Sequence, residues 1–205
     1  GIGVKQETLL NLFEQHNVVR ALKNSFATTL LQTFAALAVS SIAGYGFEIY
    51  HDKAKDTVMA ILMLAMMVPF VAVLVPLFQM FTKAKLINSW TGFILPSIAT
   101  PFLIMYFRNS ARSFPRDTLE AARIDGLNEF QIFIRMFIPM MKPTYASAAT
   151  ITFMGAWNAY LWPKVVMQTN EAITMPMLVA NTMGGYVIDY GVVMAAVTIC
   201  SLPTV

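Results

Sequence analysis

The chain has 205 residues, of which 57% are hydrophobic and 12% charged, with a net charge of +3 and a single cysteine. At a mean hydropathy of +0.61 it is too apolar for a soluble domain of this size and reads as a membrane protein. Cys200 alone excludes an internal disulfide framework and a thiolate metal cluster, and reads as a small buried hydrophobe. The positive charge does not imply nucleic acid, because the cations fall in loops where membrane topology places them.

Residues 1–23 mix Lys5, Glu7, Glu14, His16, Arg20 and Lys23 with apolar positions such as Leu9, Leu10, Leu12 and Phe13, which predicts an amphipathic segment at the outer interface. No cleavable signal pattern is present. Residues 24–205 form the predicted transmembrane domain. Apolar runs of ~20 residues suffice to cross a hydrocarbon core. Such runs cover Asn24–Phe47, Thr57–Thr82, Leu86–Phe107 and Pro143–Pro163, and a fifth begins near Tyr190. Prolines interrupt two of them, Pro69 and Pro76 in the second and Pro96 and Pro101 in the third. They read as kinks that neighbouring helices tolerate, as hinges of a pathway, or as both.

Lysine and arginine orient the spans. Arg108, Arg112, Arg116, Arg123, Arg135 and Lys142 crowd the loop at about 108–142, whereas Lys164 is the one cation after Trp162. The positive-inside rule makes that long loop cytoplasmic, along with His51–Asp56. Residues 83–89, residues 164–189 and the N-terminal segment then face outward, with Lys83 and Lys85 a mild violation.

The long polar interruption, Glu120–Pro139, reads as two short helices broken at Gly126, because glycine reaches positive φ without a Cβ clash. Pro115 suits the start of the first helix. The second starts near Asn128, with Leu127, Phe130, Ile134 and Phe137 as its apolar stripe, and Pro139 and Pro143 are expected to stop it. Small residues at Ala121, Ala122 and Gly126 permit close backbone approach, and Glu120 and Asp125 lie beside arginines. This describes either a knob for a groove in another protein or a half-buried interfacial loop.

Glu120-Ala121-Ala122, Gly126, Met136 and Ile138-Pro139 stand at the spacing of the EAA loop, EAA-x3-G-x9-I-x-L-P, and the chain resembles the permeases of ABC importers. Met136 and Ile138 depart conservatively from the pattern. Ser113-Phe114-Pro115-Arg116 and Trp157-Asn158-Ala159-Tyr160-Leu161-Trp162-Pro163 resemble the carbohydrate-uptake branch of the maltose-type second subunit, although Ala159 replaces the usual carboxylate. The resemblance implies an all-α polytopic transmembrane bundle of the type I permease core, here without its first helix and with its last truncated. It implies an inner-membrane, non-catalytic subunit that forms half of a translocation pathway for a sugar or oligosaccharide. The implied partners are a cytoplasmic ABC ATPase dimer carrying ATP and Mg, a second and non-identical permease, an extracytoplasmic solute-binding protein lying against residues 169–188, and membrane lipid. The implied coupling residues are Glu120, Ala121, Ala122, Asp125, Gly126, Leu127, Phe130, Ile138 and Pro139. Leu127, Phe130 and Ile134 are expected to brace the knob against the transmembrane core.

The residues themselves argue against other chemistries. No Walker A loop and no H-E-x-x-H occurs, and His16 and His51 fall on opposite predicted sides. The four complete apolar runs lack ionisable groups, which disfavours proton coupling. Glu48, at the inner end of the first run, is expected to snorkel or to meet Lys53. A nucleotide-independent channel or secondary carrier remains the alternative. Trp157, Asn158 and Tyr160 are the candidate pathway residues, because indole faces stack on sugar rings and an amide satisfies hydroxyls. Interfacial anchoring explains Tyr160 and Trp162 equally well, and helix packing explains Asn158. Met175–Ala180 is predicted to be a short apolar helix within the outer loop.

Overall fold

The computed structural model describes residues 17–184 and 189–204. All regular structure among them is helical. In chain order the helices are α1 (Val18–Ile49), α2 (Lys53–Ala65), α3 (Phe70–Lys83), α4 (Trp90–Ile94), α5 (Pro101–Ala111), α6 (Arg116–Ile124) and α7 (Glu129–Ile132). After a π turn at Phe133–Phe137 come α8 (Ile138–Met140), α9 (Lys142–Trp157), α10 (Leu161–Val166), α11 (Met175–Met183) and α12 (Tyr190–Ser201).

Among the described residues only α1, 32 residues long, is by itself long and apolar enough to cross a membrane. α2 with α3, and α4 (extended by the 3-10 turn Leu95–Ser97) with α5, qualify only if each bent pair is one span. The prolines explain the breaks: Pro69 precedes α3, Pro96 lies in the 3-10 turn and Pro101 opens α5. Pro76 alone of the four is inside a helix. Three of the four predicted kinks are therefore helix starts or turns, where a missing N–H costs little.

α1 is built inside out. Its buried stripe carries Ser25, Thr28, Thr29, Gln32, Thr33, Ser40 and Ser41, whereas Phe26, Leu30, Leu31, Phe34 and Ile42 are exposed. Large apolar side chains outside and small or hydroxylated ones inside suit a helix solvated by lipid. α1 also starts earlier than its apolar run, so Arg20 and Lys23, predicted to be interfacial, lie in its first turns; residues 1–16 of that predicted segment lie outside the described residues. The fourth predicted span, Pro143–Pro163, is not one helix. α9 ends at Trp157 after 16 residues, the Ala159 N–H tightens the end onto Ala156, and the chain restarts at α10 with Pro163 in its first turn.

The chain divides into two compact units. Of the described residues, the first takes 17–31, Leu74–Leu95, 153–184 and 189–204, and the second Gln32–Val73 and Pro96–Thr152. The core of the first unit packs Val18, Ala21, Trp157, Met175, Leu178, Val192 and Ala196. Its loops are stitched by polar contacts: Asn24 Nδ2 donates to the carbonyls of Glu171 and Ile173 at 2.8 and 3.0 Å, and the Met175 N–H donates to Ser25 Oγ at 2.7 Å. Asn88, at φ 56°, donates its N–H to Val166 and accepts from the Gln168 N–H at 2.6 Å. These contacts join the segments predicted to share the outer side. Met175–Ala180 is helical as predicted, within α11.

The second unit has two buried clusters. One is Ala36, Leu103, Phe107 and Ala148. The other gathers Tyr45, Ala111, Phe114, Leu119, Ala122, Ile132, Phe133, Phe137 and Met141 beneath the polar interruption. Arg108, 6% exposed, donates from Nη2 to Asp56 Oδ1 at 2.5 Å and from Nε to Glu48 Oε2 at 3.4 Å. His51 Nε2 lies 3.0 Å from Asp56 Oδ2. Glu48 therefore meets Arg108 rather than Lys53, because the end of α5 brings a guanidinium with several donors to the end of α1. The segments predicted to share the inner side are joined here.

Candidate coupling site

The site is the turn from α6 into α7. Leu119 and Ala122 bury one face of α6, and Glu120, Ala121, Arg123, Asp125 and Gly126 are exposed. Ile124 is 86% exposed at the tip. Gly126 has φ +82°; its N–H donates to Arg123 O at 3.1 Å and that of Leu127 to Ala122 O at 3.0 Å. This is the two-bond Schellman ending, and Leu127 and Ala122 both pack on the same cluster beneath it. A Cβ on Gly126 would meet nothing within 4 Å, so the need for glycine is torsional.

Asn128 then starts α7 with a capping box. Its Oδ1 accepts from the Gln131 N–H at 2.9 Å, and Gln131 Oε1 accepts from the Asn128 N–H at 3.0 Å. The predicted bracing stripe needs correction. Leu127 packs inward, but Phe130 and Ile134 are 68% and 44% exposed, and the buried positions are Ile132, Phe133, Phe137 and Met141. Residues 130–141 are apolar on almost every face, so spacing alone does not fix which of them face the core; packing against Tyr45, Phe114 and Leu119 does. Pro139 does not stop the helical run either. The Ile138 N–H reaches back five residues to Phe133 O, and this π turn precedes Pro139, whose ring would crowd a carbonyl four residues back in an ordinary helix. Ile138 is half-buried and Pro139 exposed.

Electrostatics close the turn. Arg123 Nε donates to Glu129 Oε1 at 2.8 Å, and the Tyr45 hydroxyl donates to Glu129 Oε2 at 3.4 Å. Burial opposes the Glu129 carboxylate, but hydrogen bonds from Tyr50, Arg123 and Tyr45 outweigh it and hold its pKa below the usual range. Beside α6, Glu48, Arg112, Arg116, Glu120 and Arg123 line a cleft of about 150 Å³. Glu129, Tyr45, Arg108 and Ile124 join the site only in the structure. Of these only Ile124 carried a local signal, an apolar residue off the Leu119/Ala122 face at the end of a polar helix.

The candidate pathway residues lie in the first unit and do not form one cluster of free side chains. Trp157 is 1% exposed, donates from Nε1 to Cys200 O at 2.8 Å and meets Phe26 edge-on. Trp162 is 7% exposed and donates to Gly92 O and Phe93 O at 3.1 and 3.2 Å, so it is a packing residue of α10 rather than an interfacial anchor. Asn158 is exposed and its Nδ2 donates to Met154 O at 2.9 Å. Tyr160 is 40% exposed.

Residues 36–205 match the family described as binding-protein-dependent transport system inner membrane component. The chain is 40% identical, over 97% of its length and 72% of the relative's, to a lactose transport system permease protein of Rhizobium radiobacter. It is 34% identical to an arabinooligosaccharides transport system permease protein of Bacillus subtilis, covering 89% of this chain and 65% of that one. In fold it is similar to a chain of a bacterial ABC transporter involved in the import of alginate, with a TM-score of 0.81 at 21% identity over 90% of this chain and 70% of that one. The chain belongs to the family of binding-protein-dependent transport system inner membrane components, and is an inner-membrane permease subunit.

Proposed function

We propose that the chain is the permease half of an ATP-driven importer for a di- or oligosaccharide, and that the α6–α7 turn is its contact with the ATPase. The carrying observation is the turn itself. Ile124 and Phe130 stand out at 86% and 68% exposure on a backbone locked from beneath by the Gly126 ending and the Asn128 capping box. A rigid projection with apolar tips and flanking charge suits insertion into a cleft of a second protein. Glu120, Ala121, Ala122, Asp125, Gly126, Leu127, Phe130, Ile138 and Pro139 form or support this projection.

The loop at about 108–142 is cytoplasmic, by the weight of its cations. ATP and Mg belong to a separate ATPase dimer, and this chain carries no catalysis of its own. A second, non-identical permease completes the pathway, and a solute-binding protein meets the opposite side. The sugar class is supported by the lactose and arabinooligosaccharide transport permeases to which the chain is similar. Trp157, through its buried N–H, shapes the end of α9, and of the candidate pathway residues Asn158 and Tyr160 are the ones exposed to meet a solute.

Affinity purification of the full-length protein from solubilised native membranes tests the reading. A Walker-motif ATPase and a second permease are expected to co-purify, and Ile124→Asp is expected to lose the ATPase while keeping the permease. Recovery of the chain alone, with solute flux intact after reconstitution and no nucleotide required, would establish the carrier reading instead.

A further inference from the structure

Gly126, at φ +82° with nothing within 4 Å of where a Cβ would stand, is held in the coupling turn by the two backbone hydrogen bonds of its ending, with no side chain of its own to brace it. A projection that swivels at such a point would absorb a push from a partner without passing it on. Arg123 and Glu129 stand on either side of that glycine, and their 2.8 Å ion pair spans it. Glu129 uses its second oxygen on another helix, accepting from the Tyr45 hydroxyl at 3.4 Å. Tyr45 is itself fixed, 5% exposed, with its ring edge-on to Phe133 and Phe137 at centroid distances of 5.3 and 4.9 Å. One carboxylate thus ties α6 across the glycine and onto α1. Its neighbours Phe133 and Phe137 provide the packed bed on which the tie rests.

We propose that Glu129 is a positioning residue that makes α6 and the inner half of α1 one rigid lever, so that movement of the coupling projection is delivered to α1 without slack. This rests on the coupling reading above, and adds to it the element that first receives the motion and the side chain that transmits it. A rigid lever requires two arrangements of the whole unit, each favoured in one state of the ATPase, rather than a bend within it.

The test is pulsed dipolar spectroscopy on the assembled transporter in nanodiscs. Spin labels are placed at Ile42→Cys on α1 and Asp117→Cys on α6, in a Cys200→Ala background, and distances are compared without nucleotide and with vanadate-trapped ADP. In the otherwise unaltered chain the label distance is expected to stay within about 2 Å, the scale of helix shifts at a preserved interface. With Glu129→Gln, or with Tyr45→Phe and Tyr50→Phe combined, which keep both rings and remove only the hydroxyls that reach Glu129, the distance is expected to change between the two states by more than that. A state-dependent distance in the unaltered chain, or an unchanged one in both variants, overturns the lever. Absence of the ATPase from the purified assembly overturns the coupling reading itself, a result read from composition before any distance is measured.

Discussion

Arg108 and Asp56 lie 2.5 Å apart, nitrogen to oxygen, and this contact joins the start of α2 to the end of α5 with Glu48 of α1 on the same guanidinium. Three helix ends therefore share one cation. Arg108→Met leaves the Glu48 carboxylate, 16% exposed, with only the 3.5 Å contact from the largely exposed Arg112. Leaving a charged acceptor poorly paired is expected to destabilise the inner ends of these helices by about 1–3 kcal/mol. A lowered melting midpoint in detergent checks this. Arg108→Lys is expected to restore little, because a single ammonium does not reproduce the guanidinium fork.

Gly44 and Gly46 predict opposite responses to the same substitution. A Cβ on Gly44 would stand 2.6 Å from Phe107 Cβ, 2.7 Å from the Arg108 nitrogen and 2.9 Å from Ile104 O, whereas one on Gly46 would meet nothing within 4 Å. Gly44→Ala must push α1 away from α5, and overpacking of this kind costs roughly 1–3 kcal/mol. Gly46→Ala is expected to be neutral or to stabilise by up to ~1 kcal/mol through helix propensity. Folded yield and melting of the two variants, measured side by side, decide the matter.

At Gly126 the constraint is φ alone. Gly126→Ala is expected to cost about 1–2 kcal/mol, the penalty of a Cβ in the left-handed region, and Gly126→Asn less, because asparagine tolerates that region. Neither disturbs the buried cluster directly, so membrane insertion should persist while ATPase co-purification and uptake fall, most for Gly126→Pro. Normal uptake by Gly126→Pro would remove the coupling role of this turn.

Glu129 also predicts a pH dependence. Its folded pKa is depressed by hydrogen bonds from Tyr50, Arg123 and Tyr45 in spite of its partial burial. A depressed carboxyl contributes stability that is fully present above its ordinary, unfolded pKa and is lost as pH falls through the lower folded value. The unaltered chain should therefore melt above Glu129→Gln at neutral pH, and the gap should narrow on acidification below the usual carboxylate range. Because the Glu129 side chain is 41% exposed, added salt should narrow it as well. Paired melting curves across pH and ionic strength measure both effects.

Composition alone made this a helical membrane protein, since 57% hydrophobic residues in long uncharged runs leave no soluble alternative. Local signals did the rest where one residue dictates one backbone state. Gly126 predicted the left-handed ending, Asn128 predicted the start of α7, and the crowding of arginines grouped the loops that the structure joins by hydrogen bonds. What stayed hidden was whatever depends on residues distant in sequence. Residues 130–141 are apolar on nearly every face, so only packing against Tyr45, Phe114 and Leu119 selected Ile132, Phe133 and Phe137 for burial and left Phe130 and Ile134 outside. The span predicted at Pro143–Pro163 was continuous by hydropathy, but hydropathy does not register that Trp162 would find its acceptors on Gly92 and Phe93 once the helix broke. The choice of Arg108 for Glu48 was likewise tertiary, because Lys53 is nearer in the chain and only the placement of α5 beside the end of α1 brings the guanidinium within reach.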